Sequence, residues 1–306
     1  MKSPNSRIEV LQSTHPTGKE DRLPEAKTGL LKLTRLGFQT LGHIFPKQMA
    51  GLAYRIFATP RWRARHLRED DIIKSARKWD LQFREFKVKM YEWGNPKDRI
   101  ILLAHGWESR GTALRMYVNP LLEKGFCVVA FDSLAHGDSE GSRNNVSTNA
   151  KVMADIIHHY GGIYGVIGHS FGCSTLAYML QYVDNQSFVE RAVFLAVPHR
   201  VKKIIDDYFV FLKIPKPVQQ HFHKNIEAIN GRPLEEIDVA TAHPPLKIGK
   251  LLLVHDRFDN VTSLEAAERV VERWDNSQLL ITEGYGHFRL AKNPDVIKRI
   301  VDFLKT

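Results

Sequence analysis

The chain has 306 residues, 43% hydrophobic and 25% charged, with 20 Gly, 14 Pro and 2 Cys. That composition excludes collagen-like, low-complexity and wholly disordered chains, and two cysteines exclude a disulfide-stapled secreted scaffold and fit a reducing, cytoplasmic compartment. The net charge of +10 is unevenly placed: residues 1–90 hold 19 Lys and Arg against 9 Asp and Glu, whereas residues 91–306 hold 25 of each, so an anionic partner would meet the front third.

Residues 1–28 are polar, Pro-dotted and aperiodic, the pattern of a flexible arm; Met1 to Gly18 lacks the apolar core of a signal peptide. Residues 29–80 read as a basic helical extension. Leu30, Leu33, Leu41, Ile44 and Phe45 suggest one helix, weakened by Gly37 and Gly42. Met49, Leu52, Ala53, Ile56 and Phe57 share one face of a second, with Pro46 in its first turn and Pro60 beyond its end. A third helix is expected over Asp70 to Trp79. With Lys32, Arg35, Lys47 and Arg55 nearby, the first two suit either packing on the rest of the chain or contact with an anionic membrane, at the inner face of the cell membrane. Zinc-finger spacing, RNP-like aromatic motifs and basic zippers are missing, so nucleic acid is not an expected partner.

From residue 81 onward the rhythm changes. Phe86, Val88 and Met90 alternate with Lys87, Lys89 and Tyr91, as in a half-buried strand. Continuous apolar runs follow at Ile100 to Ala104, Cys127 to Phe131, Tyr164 to Ile167, Ala192 to Ala196, Leu251 to Val254 and Leu279 to Ile281. Runs of this kind are buried on both faces, as in a parallel sheet. Helical stretches near 112–124, 148–160, 171–183, 264–274 and 293–305 separate most of them, which predicts an α/β fold with helices on both faces of one sheet. About 198–249 the alternation breaks into an insertion above the sheet.

Gly168–His169–Ser170–Phe171–Gly172 is a G-x-S-x-G placed directly after a predicted strand and before a predicted helix. Such a turn lifts the serine hydroxyl above the sheet edge, next to the free N–H groups of a helix start. A serine is a poor nucleophile until a base takes its proton and an acid orients that base. Downstream, one strand runs into His255–Asp256–Arg257–Phe258–Asp259 and the next into Glu283–Gly284–Tyr285–Gly286–His287. Both loops lie past the carboxyl ends of strands, where the sites of open α/β sheets form.

With Ala104–His105–Gly106–Trp107 and Phe131–Asp132–Ser133–Leu134–Ala135–His136–Gly137–Asp138–Ser139 added, five pieces in order resemble the α/β-hydrolase superfamily over residues 81–306. The resemblance implies its fold, a mostly parallel sheet with helices on both faces, and a lid at 198–249. It implies Ser170 as nucleophile, His287 as base, Asp259 as the acid, and the N–H groups of Trp107 and Phe171 as oxyanion donors. Asp256 stands where relatives usually carry Gly, so it competes for the acid's role. Cys173, where a small residue is frequent, reads as a packed helix residue.

The expected reaction is hydrolysis of a carboxylic ester or thioester of a small molecule, without cofactor. No dinucleotide fingerprint or P-loop is present, and His221-x-His223 has no supporting third ligand. Phe209, Phe211, Leu212, Ile214 and Phe222 suit either an acyl pocket or a lid core. Lys202, Lys203, Lys213, Lys216 and Lys224 raise a coenzyme A thioester as substrate. A membrane-peripheral lipase or lysophospholipase, a binding protein on the same scaffold, and amide hydrolysis stay open.

Overall fold

A computed structural model describes residues 7–11, 28–64, 70–198, 200–241 and 247–306. Its centre is one nine-stranded sheet. In chain order the strands are β1 (Ile8–Leu11), β2 (Arg77–Phe83), β3 (Phe86–Trp93), β4 (Arg99–Ala104), β5 (Phe126–Phe131), β6 (Gly165–His169), β7 (Val189–Leu195), β8 (Ile248–Asp256) and β9 (Ser277–Thr282). Across the sheet they run β1-β9-β8-β7-β6-β4-β5-β3-β2. The β2–β3 and β3–β5 pairs are antiparallel and all others parallel.

The apolar runs build two cores because successive side chains leave opposite faces. Ile101 and Leu103 enter one core with Val128 and Ala130; Ile100 and Leu102 enter the other with Cys127 and Val129. The helices α4 (Val118–Leu122) and α11 (Pro294–Lys305) cover the first core. The second lies under α5 (Val146–His159), α6 (Phe171–Tyr178) and α9 (Glu265–Arg273). From β4 the chain moves outward to β5, then returns to β6 on β4's other side. That reversal opens a crevice beyond the carboxyl ends of β4 and β6.

Two features depart from the sequence-based expectation. Ile8–Leu11, inside the expected arm, pairs in parallel with β9 as an edge strand; residues 1–6 and 12–27 of that arm lie outside the described residues. The helix expected over 70–79 is only α3 (Asp71–Lys74), capped by Asp70. After it, Trp79, Leu81 and Phe83 alternate with Asp80 and Gln82 in burial, and the segment hairpins onto β3, so the sheet starts at Arg77.

The insertion forms α7 (Val201–Leu212) and α8 (Lys216–Asn230), and the front segment forms α1 (Thr28–Ile44) and α2 (Pro46–Ala58). Between packing and membrane contact, the inward faces of α1 and α2 have chosen packing. Phe57 meets Tyr208 edge-on at 5.1 Å and Phe222 at 5.8 Å, and the Tyr208 hydroxyl donates to Ala53 O at 2.8 Å. Arg35 Nε donates to Phe211 O at 2.8 Å. Phe209, Leu212, Ile214 and Phe222 are consumed in this helix-on-helix core.

Candidate active site

Ser170 follows β6 and starts α6 with φ 49° and ψ −110°. A non-glycine residue held in such a conformation costs about 1–3 kcal/mol and persists only where its surroundings enforce it. Here the enforcement is tight packing of α6 against β4: a Cβ on Gly172 would lie 2.2 Å from Ala104 O. The serine does not cap its helix, and among the described residues its hydroxyl has no hydrogen-bond partner, His287 included. Catalytic hydrogen bonds are often long before substrate binds.

His287 sits in the short helix α10 (Gly286–Arg289) beyond β9. Its Nδ1 donates to Asp259 Oδ2 at 2.8 Å, and both side chains are buried. Asp259 Oδ1 accepts from the N–H groups of Val261 and Thr262, each at 2.8 Å, and Oδ2 also accepts from Thr262 Oγ1 at 2.9 Å. Burial alone would raise the pKa of Asp259, but the hydrogen bond and charge of His287 and the two backbone donors outweigh it and hold it below the usual value. An ionised acceptor at Nδ1 places the imidazole proton there and leaves Nε2 as the basic nitrogen.

Asp256 makes no bond to His287. Its Oδ1 accepts from Phe258 N at 3.0 Å, and its Oδ2 from Thr282 Oγ1 at 2.7 Å and Tyr285 N at 2.9 Å. It ties the ends of β8 and β9 and so sets where the His287 loop leaves the sheet. Thr262 carries no motif that would single it out in the sequence; only its place three residues after an acid in a turn marks it. His255 is a second such neighbour, donating from Nε2 to Thr262 O at 3.0 Å and lying 3.6 Å from Asp259 Oδ2.

His169 joins the two loops. Its Nε2 donates to His287 O at 2.9 Å, and the two rings are 5.0 Å apart. Burial lowers its pKa to about 4, so the ring is neutral at neutral pH. His105 and His136 are lowered to about 4 for the same reason. His105 Nδ1 donates to Gly106 O at 2.7 Å while its Nε2 accepts from Ser133 N at 2.9 Å. That pair links the loop after β4 to the loop after β5. Asp132 reinforces it, accepting from Gly111 N at 2.6 Å and Asp138 N at 2.8 Å. Gly137, at φ 47°, has no room for a side chain, since its Cβ would lie 2.2 Å from Asp132 Oδ2.

Trp107 stands in the loop so fixed, its ring edge-on to Phe171 at 5.3 Å. Neither the Trp107 nor the Phe171 backbone N–H donates to an acceptor among the described residues. The next residue, Glu108, has φ 54° and is tied to the front segment. Its carboxylate accepts from Arg61 N at 2.7 Å and from Arg61 Nε and Nη2 at 2.9 and 2.7 Å. Cys173 is buried, its Sγ pointing at Gly168 O at 3.2 Å, and burial pushes its thiol pKa up, so it packs rather than reacts. Among the described residues, Lys202 and Lys203 of the insertion are paired with Asp206 and Asp207.

Solved structures share this fold. An esterase of Pyrococcus furiosus superposes with a TM-score of 0.59 at 21% identity, covering 81% of this chain and 96% of its own. A thioesterase domain from the curacin biosynthetic pathway gives 0.55 at 15% identity, covering 76% and 99%. A bacterial membrane phospholipase A gives 0.57 at 17% identity, covering 91% and 98%. No curated protein matches the sequence. The model of the alpha/beta hydrolase family matches residues 101–299, a span that holds the serine turn, both acidic loops and His287. The chain belongs to the alpha/beta hydrolase family.

Proposed function

We propose that the protein hydrolyses carboxylic esters, thioesters included, through an acyl-enzyme on Ser170. The observation that carries this reading is the 2.8 Å bond from His287 Nδ1 to the buried Asp259 carboxylate, tied through His169 to a serine at a strained strand-to-helix turn. In this mechanism Ser170 Oγ attacks the carbonyl carbon while His287 Nε2 takes its proton. The carbonyl electron pair moves onto oxygen, where the N–H groups of Trp107 and Phe171 receive it; one such donor is typically worth about 3–4 kcal/mol. Collapse breaks the bond to the leaving alcohol or thiol, which departs with the proton from His287. Water then attacks the acyl-enzyme with His287 again as base, and Ser170 regains its proton as the acid leaves.

A lipid-cleaving variant of the same chemistry is the second reading. It is favoured by Phe258, Val261 and Phe288, exposed apolar residues that flank Asp259 and His287 in sequence. A coenzyme A thioester is the weaker reading, because two of the five lysines that suggested it are already paired with carboxylates. A non-catalytic binding protein would be expected to have lost a triad member, and none is substituted here.

The test compares wild type with Ser170→Ala on p-nitrophenyl esters of increasing acyl length, alongside a fluorophosphonate label. Hydrolysis and labelling by wild type, with neither by the variant, are expected. A wild type inert to every ester and to the label would overturn the reading and favour the binding protein.

A further inference from the structure

We propose that the outer face of α1 docks on an anionic lipid surface. The helix has two apolar faces. One, through Leu31, Phe38 and the bare backbone at Gly42, packs on the insertion, where Gly42 abuts Pro215. The other carries Leu30, Leu33, Leu36, Leu41 and Ile44 and spans about two-fifths of the helix circumference. Three of these, Leu30, Leu33 and Ile44, are each 67% exposed. Phe45, also exposed, continues the face past the helix end. Contiguous exposure of large aliphatic side chains on this scale is unusual for a surface facing water alone.

The polar groups on that face are already silenced. Thr34 Oγ1 donates to Leu30 O at 2.9 Å and Thr40 Oγ1 to Leu36 O at 2.8 Å, so neither hydroxyl needs water. The charge around it is of one sign: residues 28–64 contain six Lys and Arg and no Asp or Glu. Lys32 lies on the flank of α1, and Lys47 and Arg55 are exposed on α2. The nearest acids of α7, Asp206 and Asp207, are paired with Lys202 and Lys203. An apolar stripe rimmed by cations suits the boundary between anionic headgroups and acyl chains. A second copy of the chain would instead bring like charges together. No helix among the described residues is long and apolar enough to cross a membrane, so α1 would lie in the interface.

The experiment is cosedimentation of the full chain with vesicles of phosphatidylcholine, with and without phosphatidylglycerol, at low and high salt. Binding at least about tenfold tighter to the anionic vesicles and weakened by salt is expected. Leu33→Ser with Ile44→Ser should reduce it at least about tenfold, with thermal stability and hydrolysis of a soluble ester unchanged. Lys32→Gln with Lys47→Gln and Arg55→Gln should remove the preference for anionic lipid. Equal binding to both vesicles, or undiminished binding by the Leu33/Ile44 variant, would overturn the proposal. So would a wild-type dimer in gel filtration that the same variant splits, which would place a second copy on this face. Binding is read without hydrolysis, so the result stands apart from the fate of the esterase reading.

Discussion

Replacing Asp259 with Asn keeps the size of the side chain and changes what His287 meets. Two backbone N–H groups, from Val261 and Thr262, fix Oδ1 as the acceptor, so the new amide nitrogen must occupy the Oδ2 position. There it faces His287 Nδ1 at 2.8 Å and donates to it. The imidazole proton is driven to Nε2, the nitrogen that must take the proton of Ser170. An acid-to-amide change of this kind lowers kcat by about 10^4-fold, equivalent to about 5.4 kcal/mol of barrier. The fold should suffer far less, since Thr262 Oγ1 can turn to accept and the backbone bonds survive without their charge, a loss of about 2 kcal/mol. Asp256→Asn should show the reverse pattern. Its two oxygens serve the N–H groups of Phe258 and Tyr285, so one of these loses its acceptor whichever way the amide turns. That costs about 1–3 kcal/mol of stability and shifts activity by less than about tenfold. Single-turnover hydrolysis of a p-nitrophenyl ester and thermal unfolding, run on both variants, separate the cases. If Asp256→Asn took the larger loss in turnover, or Asp259→Asn kept a tenth of the activity, the acid would have been misassigned.

Acid should destabilise the protein first through its buried histidines. His105, His136 and His169 take up protons near pH 6.5 when unfolded but only at about 4 when native. Stability is therefore lost as pH falls from 6.5 to 4, up to about 3 kcal/mol for each ring. Asp259, whose native pKa is depressed, adds a loss only as pH falls further through that lower value; a urea midpoint unchanged between pH 7 and 4.5 would contradict this. Arg61→Ala should lower kcat about tenfold or more with little change in KM, because it releases Glu108 and the loop that carries Trp107. Arg61→Lys should restore part of it, and an unaltered kcat in the alanine variant would show that the loop holds itself. Gly172→Ala should cost at least about 1–3 kcal/mol in thermal unfolding and slow fluorophosphonate labelling, since the new methyl group meets backbone at 2.2 Å. Wild-type labelling and stability in that variant would refute the close approach of α6 to β4.

The strands from β4 to β9 were legible because burial on both faces leaves no polar position, and a short, continuous apolar run between turn signals has little else to form than an inner strand. The serine turn was legible for a related reason: close backbone approach demands glycine, and glycine at fixed spacing around a serine is visible in sequence. What stayed hidden depends on partners far away in the chain. Ile8–Leu11 is too short to announce a strand until β9 supplies its edge. Trp79 and Leu81 face inward at period two, yet the helix expected there gave way only because β3 stands ready to pair. Thr262 and the Arg61–Glu108 pair have no motif at all, because a hydroxyl or a guanidinium is recruited by position and any turn or loop can supply one.

The front segment shows where sequence pattern reaches its limit in principle. An apolar stripe at helical spacing says that one face leaves water, and it is silent on whether protein or lipid receives it. In α1 one face has gone to protein and the other is the face proposed for lipid. Phe38 and Gly42 turn toward α7 and α8, which explains why Phe209 and Phe222 are core residues and not pocket walls. Leu30, Leu33 and Ile44 turn the opposite way and stand exposed. The same chain then runs on to Arg61, whose side chain grips the loop bearing Trp107. A force applied to α1 by a surface is thus two short steps from the proposed oxyanion donors, through α2 and Arg61. If vesicles raise the turnover of a soluble ester, Arg61→Ala should remove that increase while leaving vesicle binding intact, whereas an increase that survives Arg61→Ala would have to travel by another route.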